Sequence, residues 1–267
     1  MSHTPAHDTA CVTHLRTTPI KGFAIRESSS VFLAVDEGIA GDRAFFLVDA
    51  AGKLLSATRT AHFLRYWASF DPSSEVLAIG CGAETLLQEQ VVAGKAARAH
   101  FFAERYASGQ IVQGPWSQFL SEIAREPVQL VRATGPLGGF DVHPVSLLSG
   151  ASVRALTDDT ADEPLDSRRF RMTITVEGVP AFTEDAWLGK ALRIGHSVVR
   201  MTSPIRRCAA VQKYPDGAVA RQNALRRIKE VRGTMTTSLG RGLHLGVYGD
   251  VQQSGHVQVG DSVRLVA

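Results

Sequence analysis

The 267-residue chain has only three cysteines, Cys11, Cys81 and Cys208. An odd number of widely spaced thiols without a CxxC pair excludes a disulfide framework and points to a reducing compartment. Long apolar runs are also missing, and none approaches the ~20 residues of a membrane-spanning helix. Residues 1–10 are polar and lack the apolar centre of a signal peptide, reading instead as a loose tail. The expectation is a soluble, cytoplasmic protein. HExxH, GxSxG and the Walker A loop are absent, as is any His/Cys spacing for structural zinc. Net charge is scarce too. The formal value of +3 is too small and scattered to argue for nucleic acid, although it suits a small anionic ligand.

What the chain does contain is ordinary globular material, 44% hydrophobic and 21% charged, enough for a sizeable core. Short stretches of strand character recur between glycine turns, at residues 12–18, 29–35, 44–48, 76–79, 128–131 and 172–177. They continue at 192–194, 197–201, 243–248 and 263–266, with 255–261 read as a barrel hairpin. This spacing predicts a mostly β (α+β) fold of antiparallel sheets or barrels with few short helices. One helix is expected over 115–123, where Trp116, Phe119, Leu120 and Ile123 share a face. Ser149 can cap a second, ending near Leu156, and residues 220–232 read as a basic helix with Ala224, Leu225, Ile228 and Val231 inward. The partial glycine pattern Gly80-Cys81-Gly82-Ala83-Glu84-Thr85 lacks its third glycine and reads as a hairpin turn. The acidic pairs Asp158-Asp159 and Glu184-Asp185 read as solvated, and residues 158–166 as an exposed loop.

The chemistry concentrates at Ser203-Pro204-Ile205-Arg206-Arg207-Cys208, just past an expected strand. Two adjacent cations favour thiolate over thiol, the form that binds metal or attacks an electrophile. A lone cysteine is more often a small buried residue, so the stretch by itself leaves both readings open. Basic residues also stand at turns: Lys21, Arg43, Arg59, Arg171 and Arg207. If they converge they can hold a phosphate or another polyanion. Residue chemistry thus yields a candidate thiolate and a candidate anion site.

Several blocks carry a family resemblance. They are 169–178 (Arg-Phe-Arg-Met-Thr-Ile-Thr-Val-Glu-Gly), 182–187 (Phe-Thr-Glu-Asp-Ala-Trp), Leu192-Arg193-Ile194-Gly195, Pro204 to Cys208, Gly246-Val247-Tyr248 and Val259 to Val263. In this order they resemble the MOSC domain, the molybdenum-cofactor-binding domain named after molybdenum cofactor sulfurases. Pro19-Ile20-Lys21-Gly22, the run from Gly41 to Asp49, and Arg59 resemble the smaller β-barrel domain that precedes MOSC. That arrangement occurs in the family of the mitochondrial amidoxime-reducing component and its bacterial relatives. The resemblance implies a tail at 1–10, an N-terminal barrel-like domain at 11–126 and a MOSC-type β-barrel at 127–267.

It further implies the molybdenum cofactor, molybdopterin with Mo. Cys208 matches the metal ligand and central catalytic position. Lys21 and Arg43 match the residues that grip the pterin phosphate, with a Gly22 backbone N–H where the family often has serine. Ser149, Ser152, Arg171, Thr173 and Arg207 match further cofactor-binding positions, Thr173 standing where the family has asparagine. The implied activity is reduction of N-hydroxylated or N-oxide compounds by N–O cleavage. No pyridoxal phosphate and no Fe–S cluster is expected in this chain. Electrons would then come from a separate ferredoxin, flavodoxin or cytochrome b5-type protein with its reductase. The other partner is a small-molecule substrate, with no nucleic acid and no membrane span. The alternatives are a cofactor carrier without redox turnover and a persulfide sulfur-transfer protein using Cys208.

Overall fold

The computed structural model describes residues 10–102, 105–135, 138–157, 163–218, 221–237 and 240–266. Strand Ala10–Thr17 buries Ala10, Val12 and Leu15, as a strand with one face on a core must. It pairs antiparallel with Ile174–Glu177 on one side and Ser262–Leu265 on the other. Hydrogen bonding continues through Val145–Ser149, His244–Gln253, Ser197–Arg206 and Ala191–Ile194 and returns to Ser262–Leu265. These seven strands close a barrel, and closure removes the exposed edges that an open sheet would offer to other chains. Val12, Leu15, Leu147, Ile174, Val199 and Val247 are among the residues that fill it. One pair is parallel, Val145–Ser149 with Ile174–Glu177. The crossover between them includes helix α1 (Gly150–Ala155), which Ser149 caps through its hydroxyl.

The segments from Phe45 to Thr134 build a second, smaller unit. Phe45–Asp49, Val128–Thr134, Arg105–Gln113 and Val92–Phe102 form one sheet. Tyr66–Asp71, Val76–Cys81 and Glu84–Gln90 form another, and Gly82 turns the hairpin between the last two. The sheets share a core of Phe45, Leu47, Leu77, Ile79, Val112 and Leu130. The helix Trp116–Ala124 closes it with the fully buried Trp116 and Leu120. The architecture is therefore mostly β, a barrel with a smaller barrel-like companion.

Strand pairing crosses the division expected at residue 126 in both directions. Ala10–Thr17 belongs to the larger barrel, and Ser30–Ala34 pairs with Gly255–Gln258. Val128–Thr134 belongs to the smaller unit. The hairpin expected over 255–261 thus draws its strand partner from 220 residues away, which local alternation does not encode.

Other differences are local. Residues 167–170 form a one-turn 3-10 helix capped by Asp166, where a strand opening was expected. The strand that leads to Cys208 runs on to Arg206, because bulges at Met201/Ser203 and Pro204/Arg206 absorb the proline. The basic helix is Ala224–Arg232, capped by Asn223, with Ala224 and Ile228 inward and Val231 41% exposed. Glu184 is fully buried and Asp185 pairs with Arg232 at 2.6 Å, so this acidic pair is not a solvated one. The 3-10 turn Thr183–Trp187 rotates the two neighbours onto different surroundings. The tail over 1–9 and the Asp158-Asp159 pair lie outside the described residues.

Two stability measurements follow from this packing. Leu15 has no accessible surface and sits in the strand that closes the barrel. Leu15→Ala is expected to cost about 2–5 kcal/mol in urea unfolding; a loss below about 1 kcal/mol would mean that closure does not depend on this contact. Gly246 has φ +75°, and an added Cβ would stand 2.9 Å from the Leu147 carbonyl oxygen and 3.0 Å from Met172 Cε. Gly246→Ala is expected to lower stability by about 1–3 kcal/mol, read as a lower Tm.

Candidate functional site

Four of the five turn-borne basic residues converge where the two units meet. Residues 18–23 lead out of the first barrel strand, and residues 42–45 lead into the first strand of the smaller unit. The two segments are zipped together: the Arg43 N–H donates to Thr18 O, and the Lys21 N–H to Phe45 O, both at 2.8 Å. Asp42, buried, accepts the Thr18 N–H at 2.7 Å and pairs with the Arg43 guanidinium. Burial pushes the Asp42 carboxyl up, against the charge of Arg43.

Arg43 reaches across the seam and donates to Arg171 O at 3.1 Å. Arg171 in turn donates to Phe23 O at 2.7 Å. Both arginines have positive φ, 51° and 55°, a conformation that costs a non-glycine residue free energy and clusters at functional sites. Burial, and then the like charge of Arg43, pushes the Arg171 guanidinium down to about 10. Lys21 donates to Asp141 at 2.9 Å. Burial nevertheless pulls the Lys21 ammonium down, with Arg43 and Arg171 adding to that effect. Burial raises Asp141, but the charges of Lys21, Arg43 and Arg105 outweigh it and hold the carboxyl below its usual range. Arg105 also donates to the carbonyl oxygen of Phe140, next to Asp141, at 2.5 Å.

Cys208 reaches the same neighbourhood from the barrel side. It is exposed and precedes the 3-10 turn Ala209–Gln212. The preceding residue points inward. Arg207 donates from Nε to Leu245 O at 2.9 Å, from Nη1 to Phe170 O at 3.0 Å and from Nη2 to Met172 Sδ at 2.9 Å. Its partners flank Arg171 on both sides, so Arg207 fixes the turn that presents Arg171. Burial pushes Arg207 down to about 10, against the opposing influence of Tyr248, Cys208 and Glu184. Tyr248 links the two halves of the site. Its phenol is raised by burial and then by Asp141, and it also feels Arg207, Arg43 and Cys208. It therefore keeps its proton at neutral pH and can donate.

The structure thus gathers Lys21, Arg43, Arg171, Arg207 and Cys208, with the Gly22 turn (φ 93°) beside Lys21. Three other expected site residues spend their hydroxyls inside the protein. Ser149 caps α1. Ser152 donates to Glu184 at 2.9 Å and accepts the Phe182 N–H at 2.7 Å. Thr173 and Ser146 bond reciprocally through hydroxyls and backbone, at 2.8–3.2 Å. Arg59 binds Asp49 and Leu54 O on the smaller unit's hairpin. Sequence reasoning missed Asp42, Asp141, Arg105 and Glu184 as members of the site or its support. Asp141 carried one available signal, its place in Phe140-Asp141-Val142-His143-Pro144 just before a barrel strand.

The donor set suits an anionic cofactor with a soft metal centre. Five cations, Lys21, Arg43, Arg105, Arg171 and Arg207, stand with three carboxylates, Asp42, Asp141 and Glu184, so positive charge is left over. An exposed thiol stands next to them. Among the described residues no group of three or more His, Cys, Asp or Glu could hold a metal ion by itself, so a metal here would depend on one sulfur and on its own ligands. Among the described residues no helix is long and apolar enough to cross a membrane.

The chain is 32% identical to mitochondrial amidoxime-reducing component 1 of Danio rerio over 124 residues, 46% of this chain and 37% of that protein. It is also 32% identical to mitochondrial amidoxime reducing component 2 of Bos taurus over 127 residues, 46% of this chain and 37% of that protein. The matches therefore span little more than a third of those relatives' length. Among solved structures, YuaD of Bacillus subtilis aligns over 96% of this chain and 94% of its own, with a TM-score of 0.45 and 10% identity. YiiM of Escherichia coli aligns over 48% and 57%, with a TM-score of 0.35 and 13% identity. The MOSC domain family matches residues 134–264, a span that contains five of the seven barrel strands, most of a sixth, and Cys208. The chain carries a MOSC domain over residues 134–264.

Proposed function

We propose that this chain binds the molybdenum cofactor and reduces N-hydroxylated or N-oxide substrates, drawing electrons from a separate carrier protein in a reducing, cytoplasmic setting. The observation that carries the reading is the surplus of buried positive charge at the seam beside the exposed Cys208 thiol. Partial identity to amidoxime-reducing components supports the choice of substrate class.

Lys21, Arg43 and Arg171 would hold the pterin phosphate, and the Gly22 turn leaves room for its close approach. Cys208 would be the protein's sulfur ligand to the metal. Arg207 acts as a positioning residue, holding the Arg171 turn from behind. When bound, the cofactor supplies two-electron redox chemistry. The overall reaction takes two electrons and two protons, breaks the N–O bond and yields the amine and water. Tyr248 keeps its proton at neutral pH and would serve as a hydrogen-bond donor beside Arg207 and Cys208. Ser149, Ser152 and Thr173 support the walls, because their hydroxyls are already committed.

Protein purified from molybdate-fed cells is expected to carry near-stoichiometric molybdenum and pterin. It should reduce an amidoxime or hydroxylamine with a reduced dye as donor. Cys208→Ser should lose the metal and the activity. Wild type without molybdenum, or with a persulfide on Cys208 and no metal, would overturn the reading in favour of sulfur transfer. Tight cofactor binding with transfer to an apo-enzyme and no turnover would favour a carrier. Separately, Lys21→Ala and Arg43→Ala are each expected to weaken pterin retention by roughly 10- to 100-fold, as loss of a charge-assisted contact does. Retention at the wild-type level, read by pterin fluorescence, would remove the seam as the phosphate site.

A further inference from the structure

The chain's small net charge hides a strong asymmetry. Of 29 Lys+Arg and 26 Asp+Glu, nine and two lie in residues 201–245. That stretch carries +7, and the remainder of the chain carries −4. Read along the sequence the charge looked scattered, but the fold gathers it around Cys208.

Arg206 is exposed and lies along Gly242, so it packs on the strand Gly240–Gly242 that carries Arg241. Gln212, in the turn that follows Cys208, bonds to the helix cap Asn223 at 2.6 Å. The helix Ala224–Arg232 therefore stands against the cysteine turn. Arg221, Lys229 and Arg241 are exposed and form no salt bridge among the described residues. Glu230 is the helix's one acid, and it is already bound to Arg226 and Arg227.

We propose that this face docks an acidic electron-carrier protein. The inference rests on the reductase reading, which requires two electrons from outside. The face fits a protein partner for three reasons. Its cations are spread over a strand end, a helix and a hairpin, wider than a small anion spans. It adjoins the turn of the exposed Cys208 through Arg206 and the Gln212–Asn223 bond, so a carrier seated there would approach the redox centre from its open side. Its charge would steer a negatively charged partner into productive encounters. Nucleic acid fits less well, because single strands are held by exposed aromatic platforms and the segment's one aromatic, Tyr214, is half-buried. A membrane fits less well because, among the segment's described residues, Val231 is the one large hydrophobic residue that is clearly exposed.

The experiment uses the purified full chain and, as probe, a plant-type [2Fe–2S] ferredoxin of net negative charge, with a flavodoxin as second probe. Binding is measured by calorimetry, and turnover is measured with each carrier and with a reduced dye. Wild type is expected to bind a carrier at low salt. Binding should fall steeply as salt approaches about 1 M, where screening shortens to ~3 Å. The triple variant Arg221→Glu, Lys229→Glu, Arg241→Glu should weaken carrier binding by on the order of tenfold or more, with an unchanged melting curve and unchanged dye-driven turnover. Arg264→Glu, on the barrel strand Ser262–Leu265, should leave binding unchanged.

Several results would overturn the proposal. One is wild type that binds neither carrier, and another is a triple variant that binds as well as wild type. Equal loss in Arg264→Glu would do the same. So would binding to duplex DNA or phosphatidylglycerol vesicles as tight as to the carriers, or a dimer that the triple variant dissolves. Absence of dye-driven turnover would instead count against the reductase reading, and the calorimetry would still decide the surface.

Discussion

The buried carboxylate of Asp42 is the point on which the seam depends. It accepts the Thr18 N–H from the end of a barrel strand and pairs with Arg43 at the start of the smaller unit. Burial alone would neutralise such a carboxyl, and the adjacent guanidinium opposes that. The anchored Arg43 then reaches Arg171 O, 128 residues away in sequence, and Arg171 reaches Phe23 O. One line of charge-assisted hydrogen bonds thus runs from unit to unit and back. The same contacts that join the units hold the cations that define the site, so stability and ligand recognition share residues here.

Two positions in this line have left-handed backbone, Arg43 and Arg171. Such conformations persist where the surroundings over-determine them. Arg207 supplies part of that constraint. Its guanidinium is spent on Phe170 O, Met172 Sδ and Leu245 O, so it grips the turn on either side of Arg171. The neighbouring arginines before Cys208 therefore have different work. Arg207 is internal scaffolding, whereas Arg206 lies outward on the hairpin face. Behind Arg207, the buried Glu184 bonds to Ser152, and burial pushes its carboxyl up toward the neutral form. That packing explains why a residue with an acidic neighbour in sequence is not solvated.

Much of the outline could be read in the chain itself. The hairpins, the helix face of Trp116 and Leu120 and the Ser149 cap all follow from local periodicity and residue chemistry. The hydroxyls of Ser149, Ser152 and Thr173 were less legible. A serine or threonine near a site in sequence serves equally well as ligand or cap, and only its partners decide. Asp141 was missed because a single acid in a loop carries no pattern until Lys21 stands 2.9 Å away.

The sequence alone determined the β character, the ordered family blocks and which residue types were available for anion and metal binding. Those properties depend on neighbours a few positions apart, where side-chain alternation and turn chemistry act. Tertiary structure decided the rest. Ala10–Thr17 closes a barrel with strands more than 150 residues away, so the units do not follow the order of the chain. Closure also brings Lys21, Arg43, Arg171 and Arg207 together, and sets Cys208 at their edge. Coulomb interaction depends on distance in space, and no local pattern in this chain encodes that distance.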